Sequence, residues 1–308
     1  MMPQVYVIVL NWNRPGDTLE CLNSLTRQTY SNYRSIVVDN GSTDDSVATI
    51  QAAFTDMTVV ANPQNLGFAE GNNIGIQRAL SAGVAYVLLL NNDTVVDSAL
   101  IEQLVRVAEL DGRIGAVGAK ILYYADPHRL WSAGGVINYT ETISRLRGYR
   151  QIDRGQFEQG AEVDYVSGCA MLLRRQALQA VGLLDPLFSP AYFEDADWCM
   201  RARRGGYRIV YAPAAKVWHK VSMSGGGEYN LRERYLIGYN SVQFMKRYAS
   251  LANWFKYVIY AILSLPALYV VRLFQGRGRG VLVKGLGIWD GLRGARRDTF
   301  IRSSHQTS

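Results

Sequence analysis

The chain has 308 residues, enough for one large hydrophobic core or a core with a small appendage. Hydrophobic residues make up 48% and charged residues 19%, a balance that excludes disordered and fibrous classes. The formal net charge of +7 favours anionic partners, and much of the excess lies late, in Arg272, Arg277, Arg279, Lys284, Arg293, Arg296, Arg297 and Arg302.

From the N-terminus, short β-branched or aliphatic runs at 5–12, 35–39, 58–61 and 86–90 read as buried strands, each bounded by Asn, Asp, Gly or Pro. The first follows no cationic segment, and its apolar part, 5–10, is too short for a signal peptide. Helices are predicted between the strands at about 17–29, 44–54, 68–82 and 97–110, with Ser42 or Thr43 as the N-cap of the second. Alternation of β and α in this order predicts an α/β fold, a doubly wound and mostly parallel sheet with a nucleotide-binding crevice.

From about Gly115 the rhythm changes. Short strands at 116–124, 135–138, 168–174 and 208–218 flank a polar, arginine-bearing stretch at 143–162 that reads as a mobile surface excursion. Helices follow at about 192–204 and 232–248, and Gly225, Gly226 and Gly227 mark a flexible link. The expected domains are residues 1–225, split near 115 into a nucleotide half and an acceptor half, and a helical, basic extension over 226–308.

Within that extension, residues 254–274 read WFKYVIYAILSLPALYVVRLF. The uninterrupted apolar part, 257–271, rises only about 20–25 Å as a helix, short of a ~30 Å hydrocarbon core, and Pro266 should kink it. Tyr257, Tyr260, Tyr269 and Trp254 suit a membrane interface, and the basic residues beyond them suit anionic head groups. A membrane-surface helix is the favoured reading; a re-entrant or spanning segment and an ordinary packing helix stay open. Cys21, Cys169 and Cys199 form no CxxC pair, so no disulfide framework or zinc knuckle is implied, and a reducing cytosol is expected.

An α/β sheet presents ligands to the carboxyl ends of its strands. Four such ends are polar: Leu10-Asn11-Trp12-Asn13; Asp39-Asn40-Gly41-Ser42-Thr43-Asp44; the segment from Asn65 through Gly67, Phe68 and Asn72 to Asn73; and Asn91-Asn92-Asp93. Each alone reads as a turn with a helix cap. Together, without a GxGxxG or GxxxxGK[ST] loop, they describe a nucleotide crevice of neither the dinucleotide nor the P-loop kind. Further on, Glu194, Asp195 and Asp197 open a predicted helix with Phe193 and Trp198 interleaved. Acids commonly open a helix for dipole reasons, but such apolar bulk is odd on a solvated face. Arg201 falls where it can hold Asp197, leaving Asp195 to project elsewhere. His219 closes the last predicted strand, as a ligand or a bystander.

With these pieces in this order from about Val5 to His219, the chain resembles a family 2 glycosyltransferase of the GT-A fold, in the rhamnosyltransferase-like branch. The resemblance implies that Asp39 accepts a hydrogen bond from a pyrimidine N3–H. Leu10, Asn11 and Asn13 would line the base and ribose pocket, with Gly67, Phe68 and Asn72 around the nucleotide sugar. Asn91-Asn92-Asp93 resembles the DxD element, Asp93 being the metal ligand and Asn91 standing where the first Asp is usual. His219 would join the shell of a divalent cation, Mn²⁺ or Mg²⁺. Asp195 would be the catalytic base, with Glu194 and Asp197 as the other candidates, both expected to raise its pKa. Trp131, Gly168, Cys169 and Trp218 would lie beside the acceptor and donor sugar, although Trp131 equally fits an ordinary core. The glycine-rich loop over 220–230 would close over the donor. Many relatives carry Arg-Asn where this chain has Tyr239-Asn240; Arg232 or Arg234 would then serve the diphosphate.

The implied reaction is inverting transfer of a sugar from a nucleoside-diphosphate donor to a hydroxyl of a glycan or lipid-linked acceptor. The branch points to rhamnose from dTDP-rhamnose, or another hexose from a UDP-sugar. The expected location is cytoplasmic, peripheral at the inner face of the cell membrane. A catalytically inactive scaffold or binding protein is the alternative. A pyrophosphorylase would need a glycine- and arginine-rich loop after its first strand, a nucleic-acid partner has no motif to support it, and no Gln-x-x-Arg-Trp sequence marks a processive synthase.

Overall fold

The computed structural model describes residues 2–140, 142–221, 230–275 and 278–295. In chain order the first half comprises β1 (Val5–Asn11), α1 (Pro15–Leu25), β2 (Tyr33–Asp39), α2 (Ser46–Ala53) and β3 (Thr58–Ala61). It continues with α3 (Gly67–Ser81), β4 (Tyr86–Asn91), β5 (Thr94–Val96) and α4 (Leu100–Ala108). Next come β6 (Ile114–Tyr123), β7 (Leu130–Ser132), β8 (Gly135–Ile137), β9 (Ser144–Leu146), β10 (Ala161–Glu162) and β11 (Ala170–Arg174). The chain then forms α5 (Arg175–Val181), α6 (Glu194–Arg204), β12 (Arg208–His219), α7 (Leu231–Tyr248), α8 (Leu251–Leu273) and α9 (Gly278–Arg293).

Ten strands build one sheet, ordered β10-β12-β6-β11-β4-β1-β2-β3, with β5 added on β12 and β7 on β6. β1 runs parallel to both β2 and β4, aligning Asn11 with Asp39 and Leu10 with Asn91. β11 enters antiparallel between β4 and β6. The strands are apolar throughout because helices cover both faces: Val5, Val7, Ile8 and Val9 are all buried, as are Val87 through Leu90. Helix α4 shows the complementary pattern, burying Leu100, Ile101, Leu104, Val105 and Ala108 along one stripe. α1 begins at Pro15, where a missing N–H costs nothing.

Three expectations are revised. Neither Ser42 nor Thr43 caps the second helix, which starts after Asp45. The Ser42 hydroxyl instead donates to Asp39 Oδ1 at 2.6 Å, while Asp44 Oδ1 takes the Ser46 N–H at 3.0 Å. The predicted helix from 192 starts instead at Glu194, because Tyr192 and Phe193 both lie in the left-handed region, at φ +79°. The arginine-bearing stretch is not a loose excursion. Lys120, buried in β6, donates to Asp153 Oδ2 at 2.8 Å and to Glu158, and Arg147 lies over the rings of Phe157 and Tyr211.

The chain divides into two compact units. The first holds Met1–Val136, Leu146–Ser189 and Glu194–Val221; the second holds Ile137–Arg145, Pro190–Phe193 and the helices from α7 onward. In the second unit α7 and α9 approach at backbone distance: a side chain at Gly238 would meet the Lys284 carbonyl, and one at Gly287 the Tyr235 carbonyl. The Tyr235 hydroxyl donates to Asp290 Oδ2 at 3.0 Å, with both residues buried. Pro266 does not end α8, which continues for 23 residues with Phe255, Ile262, Leu263, Val270 and Val271 exposed. The glycine-rich loop, the expected boundary at 225 and Arg277, Arg296, Arg297 and Arg302 of the basic tail lie outside the described residues.

Replacing the buried ammonium removes two charge-assisted bonds and leaves two partly solvated carboxylates. Lys120→Met should therefore destabilise by about 2 kcal/mol. Amide exchange across 147–160 should quicken in the variant; unchanged protection there would show that Lys120 does not pin the segment.

Candidate active site

At the crevice end of β1 and β2 a polar network replaces the apolar core. Asn11 Nδ2 donates to Asp39 Oδ1 at 2.7 Å, and Asp39 Oδ2 accepts the Ser42 N–H at 3.0 Å. Asn11 Oδ1 accepts from the Thr18 hydroxyl at 2.7 Å, and Asn92 Nδ2 donates to that hydroxyl at 3.0 Å. Thr18 on α1 thus ties the ends of β1, β2 and β4 into one framework. Asn13, at φ +51°, donates its N–H to Ser42 Oγ and accepts the Thr43 N–H at 2.8 Å. Leu10 is half-buried beside Gly71.

The third strand end is ordered by Asn40, which donates to Asn65 Oδ1 and to the Gly67 carbonyl. Gly67 takes φ +81°, and its N–H reaches Asn65 Oδ1 at 2.8 Å. Asn72 is buried and donates back to the Phe68 carbonyl at 2.9 Å, fixing the first turn of α3. Phe68 then presents its ring to Gly168, where a Cβ would sit 3.0 Å from the ring and 3.8 Å from the Asp195 Cβ. Only a residue without a side chain lets the ring, the backbone and the carboxylate converge there.

The fourth end meets β12. The antiparallel pairs Val96–Val217, Val95–Trp218 and Thr94–His219 place the turn carrying Asp93 against the end of β12. His219 Nε2 lies 3.1 Å from Asp93 Oδ1, and both residues are buried. Burial disfavours charge on both, yet their neighbours win: His219 holds Asp93 below the usual carboxylate range, and Cys169 and Asp93 together raise His219 well above its own. The Trp131 ring stands edge-on to the imidazole at 4.9 Å and 87°. Trp218, adjacent in the strand, faces the opposite side from His219.

Asp195 opens α6. Its Oδ2 accepts the Gly168 N–H at 3.0 Å and its Oδ1 the Ala196 N–H at 2.7 Å. Burial pushes its pKa up, and the backbone N–H groups of Gly168, Ala196 and Asp195 itself counter only part of that shift. Glu194 and Asp197, expected to raise it, are not among the causes of that shift. Glu194 is pushed well above its ordinary value by burial first and by Asp195 second, and its Oε2 has no partner. Asp197 is fully buried and ion-paired to Arg201 Nε at 2.8 Å, a structural role. Cys169 connects the two carboxylate centres. Its carbonyl accepts the Asn91 N–H at 3.0 Å, and its buried thiol sits beside His219, where both Asp93 and Asp195 act on it.

Several contributors had no local signature. Lys220 Nζ bridges Asp17 and Glu20, each at 2.6 Å, while its N–H donates to the Asp93 carbonyl at 2.9 Å. The end of β12 is thereby bolted to α1 across some two hundred residues of chain. Tyr192 and Phe193, immediately before the acids, store roughly 1–3 kcal/mol of backbone strain each.

Among the described residues no group of three or more His, Cys, Asp and Glu side chains is arranged to hold a metal ion. Asp93 and His219 still fit one whose remaining positions are filled by phosphate oxygens, the usual arrangement where a substrate carries the phosphates. His219 Nδ1 is buried without a hydrogen-bond partner. A separate cavity of about 870 Å³ lies at the opposite, amino end of the strands, lined by Tyr6, Arg34, Ile36, Phe54, Met57 and Arg78. None of the site residues named above lines it.

The polar strand ends of a mostly parallel α/β sheet are thus gathered around an Asp-His pair. Residues 6–182, more than half of the chain, match Glycosyl transferase family 2, and the chain belongs to that family. It is 28% identical over 236 residues to the uncharacterized protein y4gI of Sinorhizobium fredii, covering 72% of this chain and 25% of that protein. It is 26% identical over 269 residues to the poly-beta-1,6-N-acetyl-D-glucosamine synthase of Staphylococcus aureus, covering 85% of this chain and 62% of the synthase. The chain therefore spans a quarter to under two thirds of these relatives. Among solved structures, the mannosyltransferase PcManGT of Pyrobaculum calidifontis, in complex with GDP-Man and Mn²⁺, superposes at TM-score 0.64 and 15% identity, covering 96% of this chain and 89% of that one. GalNAc-T7 with UDP, GalNAc and Mn²⁺ superposes at 0.61 and 15% identity, covering 77% and 48%. Both likenesses establish the fold as GT-A.

Glu194 keeps its proton at pH values where the unfolded chain, with an ordinary value near 4.3, has released it. The native state then binds more protons than the unfolded one, so this group's contribution to stability declines as pH rises through that window. In Glu194→Gln the titration is gone. Its thermal midpoint relative to wild type should climb as pH rises above about 4; a constant difference would show that Glu194 titrates normally.

Proposed function

We propose that the chain is an inverting, divalent-cation-dependent glycosyltransferase using a nucleoside-diphosphate sugar and a hydroxyl of a glycan or lipid-linked acceptor. The observation that carries the reading is the short path from Asp195 through Gly168-Cys169 to the Asp93–His219 pair. It sets a half-buried carboxylate apart from a second, cation-compatible one within the same end of the sheet.

Asp39 keeps lone-pair capacity on Oδ2 for a pyrimidine N3–H, and Asn11 and Ser42 fix its orientation. Leu10, Asn11 and Asn13 flank the base and ribose, Asn91 and Asn92 the ribose and diphosphate, and Gly67, Phe68 and Asn72 the sugar. Asp93 and His219 would hold the cation, which when bound offsets the charge developing on the leaving diphosphate. Asp195 accepts the acceptor hydroxyl's proton as the new bond forms; one base and one displacement give inversion. The Gly168 N–H aims the carboxylate, and burial raises its basicity. Trp131, edge-on to His219, offers its remaining surface to a sugar.

The rhamnosyltransferase-like sequence pattern supports dTDP-rhamnose as donor, with a UDP-hexose next. The ligands of the structural neighbours, UDP with GalNAc and GDP-Man, each with Mn²⁺, support a nucleotide sugar and a divalent cation in this fold. The exposed apolar surface of α8 supports peripheral attachment at the inner face of the cell membrane.

A donor panel with Mn²⁺ and EDTA arms tests the reading. Wild type should transfer sugar with Mn²⁺ and lose activity in EDTA, while Asp195→Asn should bind donor normally and lose transfer by about 100-fold or more. Unimpaired transfer by Asp195→Asn would remove the base. The acidic limb of kcat/KM should fall above the ordinary aspartate value of about 3.9, and an ordinary limb would contradict the burial of Asp195. Sedimentation with anionic vesicles should carry down the full chain and lose Leu263→Asp; equal sedimentation of both would exclude α8 as the contact.

A further inference from the structure

We propose that the sugar-binding surface continues past Trp131 onto the exposed ring of Tyr149, so that the acceptor is a glycan of at least two sugars. The inference rests on the glycosyltransferase reading above.

β6 ends at Tyr123, which lies opposite His219 in the parallel register of β6 and β12, so the two side chains share one face of the sheet. β7 runs antiparallel to β6 and bulges there: Ile121 faces Ser132 and Leu122 faces Leu130, which leaves Trp131 as the extra residue. A bulge re-aims its side chain, and the Trp131 ring comes to 4.9 Å from the His219 imidazole. Beyond β7 the chain returns alongside it. The Leu130 N–H donates to the Gln151 carbonyl and the Arg150 N–H to the Leu130 carbonyl, both at 2.8 Å. That return carries Tyr149, whose ring meets the Tyr123 ring at 6.5 Å and 43°. From His219 across β6 and β7 to this segment is three strand spacings, roughly 14 Å.

Tyr149 is held in place and left open. Gly148 and Arg150 on either side are both left-handed, at φ +72° and +63°, and the Gln151 N–H closes the turn on the Gly148 carbonyl at 2.9 Å. A side chain at Gly148 would run into Phe157 and Leu130, so the turn sits tight on its neighbours. Arg129 Nη1 donates to the Arg150 carbonyl at 2.9 Å and fixes the far side. With the backbone so restrained, the Tyr149 ring is still 45% exposed, and the Arg150 guanidinium lies 5.5 Å from its centre. A residue other than glycine at positive φ is uncommon, and such strain gathers where a side chain must be presented. A pyranose has one nearly apolar C–H face and a rim of hydroxyls; an aromatic ring suits the first and a guanidinium beside it the second. One sugar at Trp131 does not reach Tyr149, whereas a short chain of sugars does. The surface therefore reads the length of the acceptor, with Arg150 beside the hydroxyls of its distal sugar.

A glycan array probed with the full chain, UDP or dTDP, and Mn²⁺ tests the surface, using matched mono- to tetrasaccharides of gluco, galacto, manno and N-acetylhexosamine type. Wild type should retain the longer members of at least one series about tenfold better than the monosaccharide. Tyr149→Ala should bring that ratio to within about twofold and Tyr149→Phe should keep it, with affinity for nucleotide and Mn²⁺ within about twofold of wild type in both. Tyr149→Leu, which keeps apolar bulk without an aromatic face, covers the case in which the alanine variant does not fold. It should lose the length preference, and a retained preference contradicts. A monosaccharide held as well as its longer relatives, no glycan held by wild type, or an undiminished ratio in Tyr149→Ala overturns the proposal. A wild type that prefers longer glycans through Tyr149 yet binds neither nucleotide nor Mn²⁺ would instead sink the enzyme reading alone.

Discussion

Three antiparallel residue pairs between β5 and β12 hold the site together. β5 is only three residues long and follows the Asn91-Asn92-Asp93 turn directly, so its pairing decides where Asp93 ends up. With Thr94 opposite His219, a carboxylate from the first third of the chain and an imidazole from the last third meet at 3.1 Å. Lys220 repeats the constraint one residue on, binding the Asp93 carbonyl by its backbone and α1 by its ammonium. Slip that ladder by one residue and His219 turns to the other face of the sheet.

Around that ladder the protein tolerates several buried charges by treating each differently. Asp93 stays ionised because an imidazole faces it. Asp197 is ion-paired to Arg201, whose remaining nitrogens go to the Val181 and Leu183 carbonyls. Asp195 is more basic than an exposed aspartate because burial outweighs the backbone N–H groups that face it. Glu194 has only its own backbone N–H against burial and the neighbouring Asp195, and is raised further. Four acidic side chains within one end of a fold thus meet four different surroundings.

Much of this architecture was legible in the chain itself. Strands such as 58–61 and 86–90 announced themselves by unbroken aliphatic content between polar stops, because a sheet covered on both faces leaves no reason for alternation. The strand-end polar clusters were legible for the complementary reason: Asn11, Asp39 and Asn91-Asn92-Asp93 interrupt apolar runs where nothing in the core asks for polarity. The partners of those clusters were not legible. Thr18, Ser42 and Lys220 are ordinary residues until the fold places them, and a bond spanning residues 17 and 220 leaves no trace in local pattern. The excursion at 143–162 misled because polarity was read as mobility, while its anchor, Lys120, hides in a buried strand. The helix start at Glu194 misled because positive φ at Tyr192 and Phe193 leaves no trace in the identity of those residues.

Family membership and the GT-A fold rest on the matched segment and the superpositions, whereas the chemistry rests on one arrangement, Asp93 with His219 on one side and Asp195 on the other. The most direct measurement is electron paramagnetic resonance of Mn²⁺ titrated into the full chain with and without UDP or dTDP, for wild type, Asp93→Asn, His219→Ala and Asp195→Asn. The account predicts one ordered Mn²⁺ per chain when nucleotide is present, loss of that signal in the first two variants and its retention in the third. Ordered Mn²⁺ that survives Asp93→Asn, or that vanishes in Asp195→Asn while Asp93 is intact, would contradict it.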